Sequence, residues 1–222
     1  MKGRTGVDIN ALEKNERQAP ERVLLGAVKL FMRAGIKSVN MDDVSRELAV
    51  SKKTLYKHVK DKRDLVHQCL QYQIQANREM LQAVAKVEGN AIDRHFVMLR
   101  HIRTMLQEIH PSVLFDLEKY YPEAHLMMSQ AREQMIFETM SRNLDRGQTE
   151  GLYRKDCDPT LVTRFLVAIT SAVFRSDTLN ATGRSILDLQ VDAFAYHIRG
   201  IASAKGLEYI EWKLQNEPPA VS

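Results

Sequence analysis

Residues 39–65, VNMDDVSRELAVSKKTLYKHVKDKRDL, constrain the fold more than any other stretch of the chain. They read as two short helices joined by a tight turn. Asn40 precedes the first, and its side chain suits an N-cap, where a carbonyl oxygen accepts from otherwise unpaired N–H groups. Asp42 and Asp43 then stand at the positive end of that helix's dipole. Ser51 offers the same kind of cap to the second helix. There Leu55 and Val59 are four residues apart and share one face. Only that face needs a core, so Lys52, Lys53, Thr54, Tyr56, Lys57 and His58 are left to point elsewhere. A short helix that is basic and aromatic on its outer side fits the major groove of DNA.

The flanking residues agree. A helix beginning near Pro20 places Leu24, Ala27, Val28, Phe31 and Ala34 inward and stops at Gly35. Asp61 caps a longer helix running from Lys62 to about Lys86. Lys62 opens it, within reach of a phosphate by side chain or by the main-chain N–H groups of that helix end. Charge follows the same division. Residues 1–60 hold 13 Lys/Arg against 7 Asp/Glu, while residues 61–222 hold 19 against 21. The overall charge of +4 therefore conceals a basic N-terminal segment, and cations that neutralise phosphates make binding salt-dependent.

Elsewhere, apolar residues recur at three- and four-residue spacing and β-branched alternation is scarce. With only 10 Gly and 6 Pro in 222 residues, the pattern predicts an all-α chain of nine or ten helices. Further helices are expected at about 91–109, between Pro111 and Pro122, and at 123–147, 159–175 and 186–203. The first 17 residues read as a flexible polar arm, and residues 206–222, ending Asn-Glu-Pro-Pro-Ala-Val-Ser, as a tail.

The stretch TLYKHVKDKRDL, with Leu30-Phe31, Ala34-Gly35, Val39, Val44, Leu48, Val50-Ser51 and Leu55-Tyr56 ahead of it, resembles the TetR family of bacterial transcriptional regulators over about residues 18–70. The resemblance implies an N-terminal three-helix DNA-binding domain with a helix-turn-helix (18–78). It implies a larger C-terminal helical domain for dimerisation and effector binding (79–205). Lys52, Lys53, Thr54 and Tyr56 then occupy recognition-helix positions that meet double-stranded operator DNA. His58 and Lys62 occupy positions that meet phosphates, and Lys57 adds a cation beside them. Two residues depart from the pattern. Asp42 stands where the family's namesake uses a base-reading arginine. Ala49 replaces a common turn glycine and is tolerable if the turn avoids positive φ.

A homodimer is expected through helices 159–175 and 186–203. In the first, Leu161, Val162, Phe165, Ala168, Ile169, Ala172 and Val173 spread over too wide an arc to be covered from one side. Residues 80–140 hold seven of the ten methionines. Methionine fills irregular spaces, either in a core or around an adaptable apolar pocket. Met98, Met105, Tyr120, Met128 and Met135 are the candidate contacts for a small-molecule effector, with His95, His101, His110 and Tyr121 as further polar partners. The expected function is a cytoplasmic DNA-binding regulator, a repressor released from a palindromic operator by an effector. An effector-independent architectural protein and an apolar-ligand carrier are the alternatives. No cofactor is expected. GxGxxG, P-loop, HExxH and GxSxG motifs are missing, and no enzyme is expected. Cys69 and Cys157 lack metal-ligand spacing and read as free thiols. No run of 18 apolar residues suggests a membrane span.

Overall fold

The computed structural model describes residues 19–174 and 183–216. The arm expected over residues 1–17 and the last residues of the expected tail lie outside them. Ten helices occur among the described residues: α1 (Glu21–Ala34), α2 (Met41–Glu47), α3 (Lys52–Leu55), α4 (Lys62–Val84), α5 (Ala91–Gln107), α6 (Ser112–Tyr120), α7 (Pro122–Thr149), α8 (Pro159–Val173), α9 (Ile186–Ile201) and α10 (Ala204–Asn216). The chain is all-α, as expected. Among the described residues no helix is long and apolar enough to cross a membrane, and both cysteines are free thiols.

The described residues up to Ala76, together with Ile109–Met128, form one compact unit. Asn77–Glu108 and the described residues from Ser129 onward form a second. α4 and α7 each contribute residues to both. The sequence places one boundary at 78/79; the compact units divide at 76/77, and residues 109–128 group with the first. Val113, Leu117 and Ala124 enter the same apolar core as Leu24, Phe31, Val44, Leu55 and Leu65. Polar contacts tie α6 down further. The Lys37 N–H donates to the buried Asp116 carboxylate at 2.8 Å, and the His110 N–H donates to the Met32 carbonyl at 2.7 Å. Gly35 makes the approach possible. Its φ is +81°, and a Cβ there would lie 2.4 Å from Ser112 Oγ, so glycine is needed twice over.

In the second unit α9 packs against α5 and α8, and α10 against α5. One apolar cluster gathers Ile92, Phe96, Leu144, Tyr153, Ile198 and Ile210. Another gathers Val84, Met98, Met140, Leu166 and Phe194. Residues 206–216, expected as tail, are instead helical. Gly206, Ile210 and Lys213, at helical spacing, are buried. Lys213 Nζ pairs with Asp93 Oδ1 at 2.9 Å, and the Tyr209 hydroxyl donates to the same oxygen at 2.9 Å. The prolines that suggested a tail lie beyond Asn216, outside this helix.

Candidate nucleic-acid interface

α2 and α3 are fixed by local chemistry. Asn40 Oδ1 accepts from the Asp42 and Asp43 N–H groups at 2.8 and 3.0 Å. Asp43 Oδ2 accepts from the Asn40 N–H at 2.9 Å, completing a reciprocal capping box. Ser51 Oγ accepts from the Thr54 N–H at 3.0 Å and lies 2.8 Å from Thr54 Oγ1. Leu55 and Val59 are buried as expected, while Lys52, Lys53, Thr54, Tyr56 and Lys57 are exposed. The regular helix ends at Leu55. The Lys57 and His58 N–H groups bond to the Thr54 and Leu55 carbonyls, a tighter i→i−3 pattern. Lys57 and His58 therefore follow the helix rather than lie within it.

Individual positions differ in how free they are. Lys53, Tyr56 and Lys57 face solvent, and Tyr56 leaves 48% of its surface exposed. Lys52 Nζ is 2.5 Å from Asp42 Oδ1. Asp42, a carboxylate that cannot donate to a base as an arginine does, thus holds the first lysine of α3. His58 is half-buried, with its Nδ1 enclosed and unpaired. Lys62 is also half-buried, and its Nζ donates to the Lys37 carbonyl at 3.3 Å. Burial lowers the Lys62 pKa, against the opposing pull of Asp116 and Asp43. Lys62 thus pins the loop ahead of α2, a role its sequence position did not suggest. Ala49 adopts φ +52°, so the condition under which alanine would be unstrained at this turn is not met.

Tyr120 belongs to this unit and does not line the cavity that Met98, Met105 and Met135 share. Its hydroxyl accepts from Lys37 Nζ at 2.8 Å, and its carbonyl accepts from Arg63 Nη2 at 3.3 Å. Met128 packs against the core of the same unit. Sequence reasoning missed Lys37 and Arg63, whose partner lies 83 and 57 residues away. No local pattern announces such a contact.

The other three candidate ligand residues do converge. Met98, Met105 and Met135 line a cavity of about 80 Å³ built from the second unit alone, with Ile102, Phe174 and Phe194 as apolar walls. A neighbouring cavity of about 130 Å³ shares Leu81, Met98 and Met135. His101 reaches the smaller one, and burial lowers its pKa. His95 is fully buried beside the larger one. His110 is in the first unit, where its Nδ1 is 3.0 Å from Ser112 Oγ.

Residues 23–69, which span α1, α2, α3 and the start of α4, match the family of bacterial regulatory proteins called tetR. Over this segment the chain is similar to the TetR family. A helix-turn-helix transcriptional regulator of Staphylococcus aureus strain USA300 is 33% identical over 60 residues, 27% of this chain and 32% of that protein. The chain thus spans about a third of that relative's length. The likeness of fold extends further. A TetR-family transcriptional regulator from Agrobacterium tumefaciens has a TM-score of 0.62 at 15% identity, covering 82% of this chain and 97% of that one. A transcriptional regulator from Saccharomonospora viridis, in complex with choline, has a TM-score of 0.59 at 18% identity, covering 86% and 99%. At these identities the likeness is one of fold.

Proposed function

We propose that this chain is a homodimeric DNA-binding regulator of TetR type that represses from a palindromic operator and is released by a small-molecule effector. The observation that carries the reading is the outward row on and after α3. Lys52, Lys53, Thr54, Tyr56 and Lys57 are all exposed around a side that buries only Leu55 and Val59. Lys52, oriented by Asp42, reads a base edge, where a cation meets guanine acceptors. Lys53, Tyr56 and Lys57 hold phosphates and set the register.

The partner is a second copy. In α8, Leu161, Phe165 and Ile169 leave 50%, 56% and 44% of their surfaces exposed while Leu166 is fully buried. Tyr196 of α9 is 79% exposed. Large apolar side chains repeating at four-residue intervals on a helix's outer face suit a helical seam. Two-fold pairing brings two recognition helices to about 34–36 Å, one turn of DNA. Phe165→Glu is expected to give monomers by sedimentation velocity and to abolish operator binding while leaving far-ultraviolet circular dichroism unchanged.

The effector occupies the methionine-lined cavity of the second unit. α4 and α7 pass from that unit into the first, and shifting them changes the separation of the recognition helices. A coupling of roughly 1–3 kcal/mol weakens operator binding 5- to 150-fold. The direct test is fluorescence anisotropy on duplexes selected from a random pool. With about eight phosphate contacts per dimer, the slope of log affinity against log salt is expected near −7. Lys57→Ala should weaken every sequence alike and flatten that slope, whereas Lys52→Ala should relax preference at one base pair. Unaltered preference in Lys52→Ala removes the base-reading role. Equal affinity for selected and random duplex removes the proposed function.

A further inference from the structure

The methionine-lined cavity contains a charge that the apolar residues around it do not explain. Arg132 of α7 lines it, its guanidinium carbon lies 3.9 Å from the centre of the Phe174 ring, and its Nε is enclosed without a hydrogen-bond partner. Burial lowers the Arg132 pKa, and the one carboxylate that counters this is its sequence neighbour Glu133. That carboxylate is turned away. Glu133 Oε1 accepts from Ser171 Oγ at 2.9 Å and lines a different groove, between α7 and α8. The other polar groups at the cavity are occupied or uncharged. Gln190 Nε2 donates to the Thr170 carbonyl at 2.8 Å, Asn77 Nδ2 lies 3.8 Å from Met105 Sδ, and burial disfavours the charged form of His101. Among the described residues the cavity therefore has a fixed cation, no anion facing it, and walls of Met98, Ile102, Met105, Met135 and Phe194.

A guanidinium cannot shed its proton at ordinary pH, and when it is enclosed it needs an anion or a set of acceptors. Its planar fork matches a carboxylate oxygen for oxygen. We propose that the cavity binds a small apolar monoanion, an aryl or short alkyl carboxylate, with its carboxylate on Arg132 and its body between the methionines and Phe194. The space of about 80 Å³ limits the body to about the size of one aromatic ring. Cationic ligands are rejected by the same guanidinium. This inference rests on the effector reading above, since it names the chemical class that the same site takes.

The test measures binding apart from DNA. The full chain is titrated calorimetrically with benzoate, phenylacetate and hexanoate, and with benzamide, hexanamide and benzyltrimethylammonium as uncharged and cationic counterparts. At a hundredfold excess over its Kd a carboxylate should raise Tm by roughly 5–10 °C. Each amide should bind at least tenfold more weakly than its acid, and the cation should not bind. Arg132→Gln and Arg132→Met should abolish the preference for acid over amide. Arg132→Met without ligand should melt at or above the wild-type temperature, because a half-buried guanidinium whose enclosed Nε has no partner has been removed. Amides that bind as well as acids, three acids that all fail to bind, or a preference that survives Arg132→Gln would each overturn the proposal. So would a lowered Tm in Arg132→Met, which would make the arginine structural. An acid that binds through Arg132 but leaves operator affinity unchanged sustains the ligand class and defeats the effector reading. Operator release by an amide or a cation does the reverse.

Discussion

Among the described residues, Ala49 is the one residue other than glycine with positive φ, at +52°. There a Cβ crowds the following carbonyl and costs roughly 1–2 kcal/mol. The turn bears this because both of its ends are held: the Val50 N–H donates to the Ser45 carbonyl at 3.0 Å, and Ser51 caps α3. Ala49→Gly should relieve the crowding and return part of the gain as unfolded-chain entropy, for a net stabilisation of about 0.5–1 kcal/mol. A higher urea midpoint at unchanged slope would show this, and a lower midpoint would mean that the Ala49 methyl is held by favourable packing. The same turn separates what residue identity reveals from what it hides. Asn40 and Ser51 are legible caps because a short polar side chain reaches its own helix within three residues. The left-handed turn at position 49 is not legible, because alanine gives none of the warning that glycine would. Nor is the bond from Lys62 to the Lys37 carbonyl, which needs the loop already folded.

At the scale of elements, periodicity located α1 through α9 to within a few residues, since each has an apolar stripe of its own. It failed at α10 and at the allegiance of α6, for one physical reason. Both are placed by polar groups that find distant partners. Asp116 meets the N–H of Lys37, 79 residues away, and Lys213 meets Asp93 across the second unit. Asp93 also accepts from the Asn90 N–H and from the Tyr209 hydroxyl. Burial alone would raise its pKa, but the hydrogen bonds from Lys213, Asn90 and Tyr209 together hold it below the usual carboxylate value. Lys213→Ala leaves this carboxylate partly enclosed without its cation and should cost about 3 kcal/mol. Chemical denaturation at pH 7 measures that loss, and the gap between variant and wild type should narrow below pH 3.8 as the carboxylate is protonated. Loss under 0.5 kcal/mol would mean that α10 is held by Ile210 and its apolar neighbours alone.

For the molecule as a whole, falling pH is a stress that reaches this core through two buried histidines. His95 on α5, a candidate ligand contact in the sequence, and His197 on α9 are the groups concerned. Both are buried in the second unit, and the His95 ring meets Phe96 and Phe194 edge-on at 6.5 and 5.9 Å. Burial, and then the nearby His197, push the His95 pKa down to about 3, and burial pushes His197 down to about 4. In the unfolded chain both titrate near 6.5. The folded state therefore binds fewer protons than the unfolded state below that pH, and the stability present above 6.5 falls as pH drops toward the folded values. Each histidine contributes a loss of about 2 kcal/mol between pH 7 and pH 5, so the pair removes about 4 from a total that in most domains is only 5–15. Asp93 and Asp156, whose pKa values are lowered, lose their contributions only in more acid solution and leave this window to the histidines, where His101, lowered by burial, adds a loss of the same sign. Tm should accordingly fall by roughly 8–16 °C from pH 7 to pH 5. His95→Phe, which keeps an aromatic ring between Phe96 and Phe194, should reduce that fall by about half. A Tm that stays flat across this range would show that a cation is accommodated beside His197, and the neutral, closely packed interior described here would have to be given up.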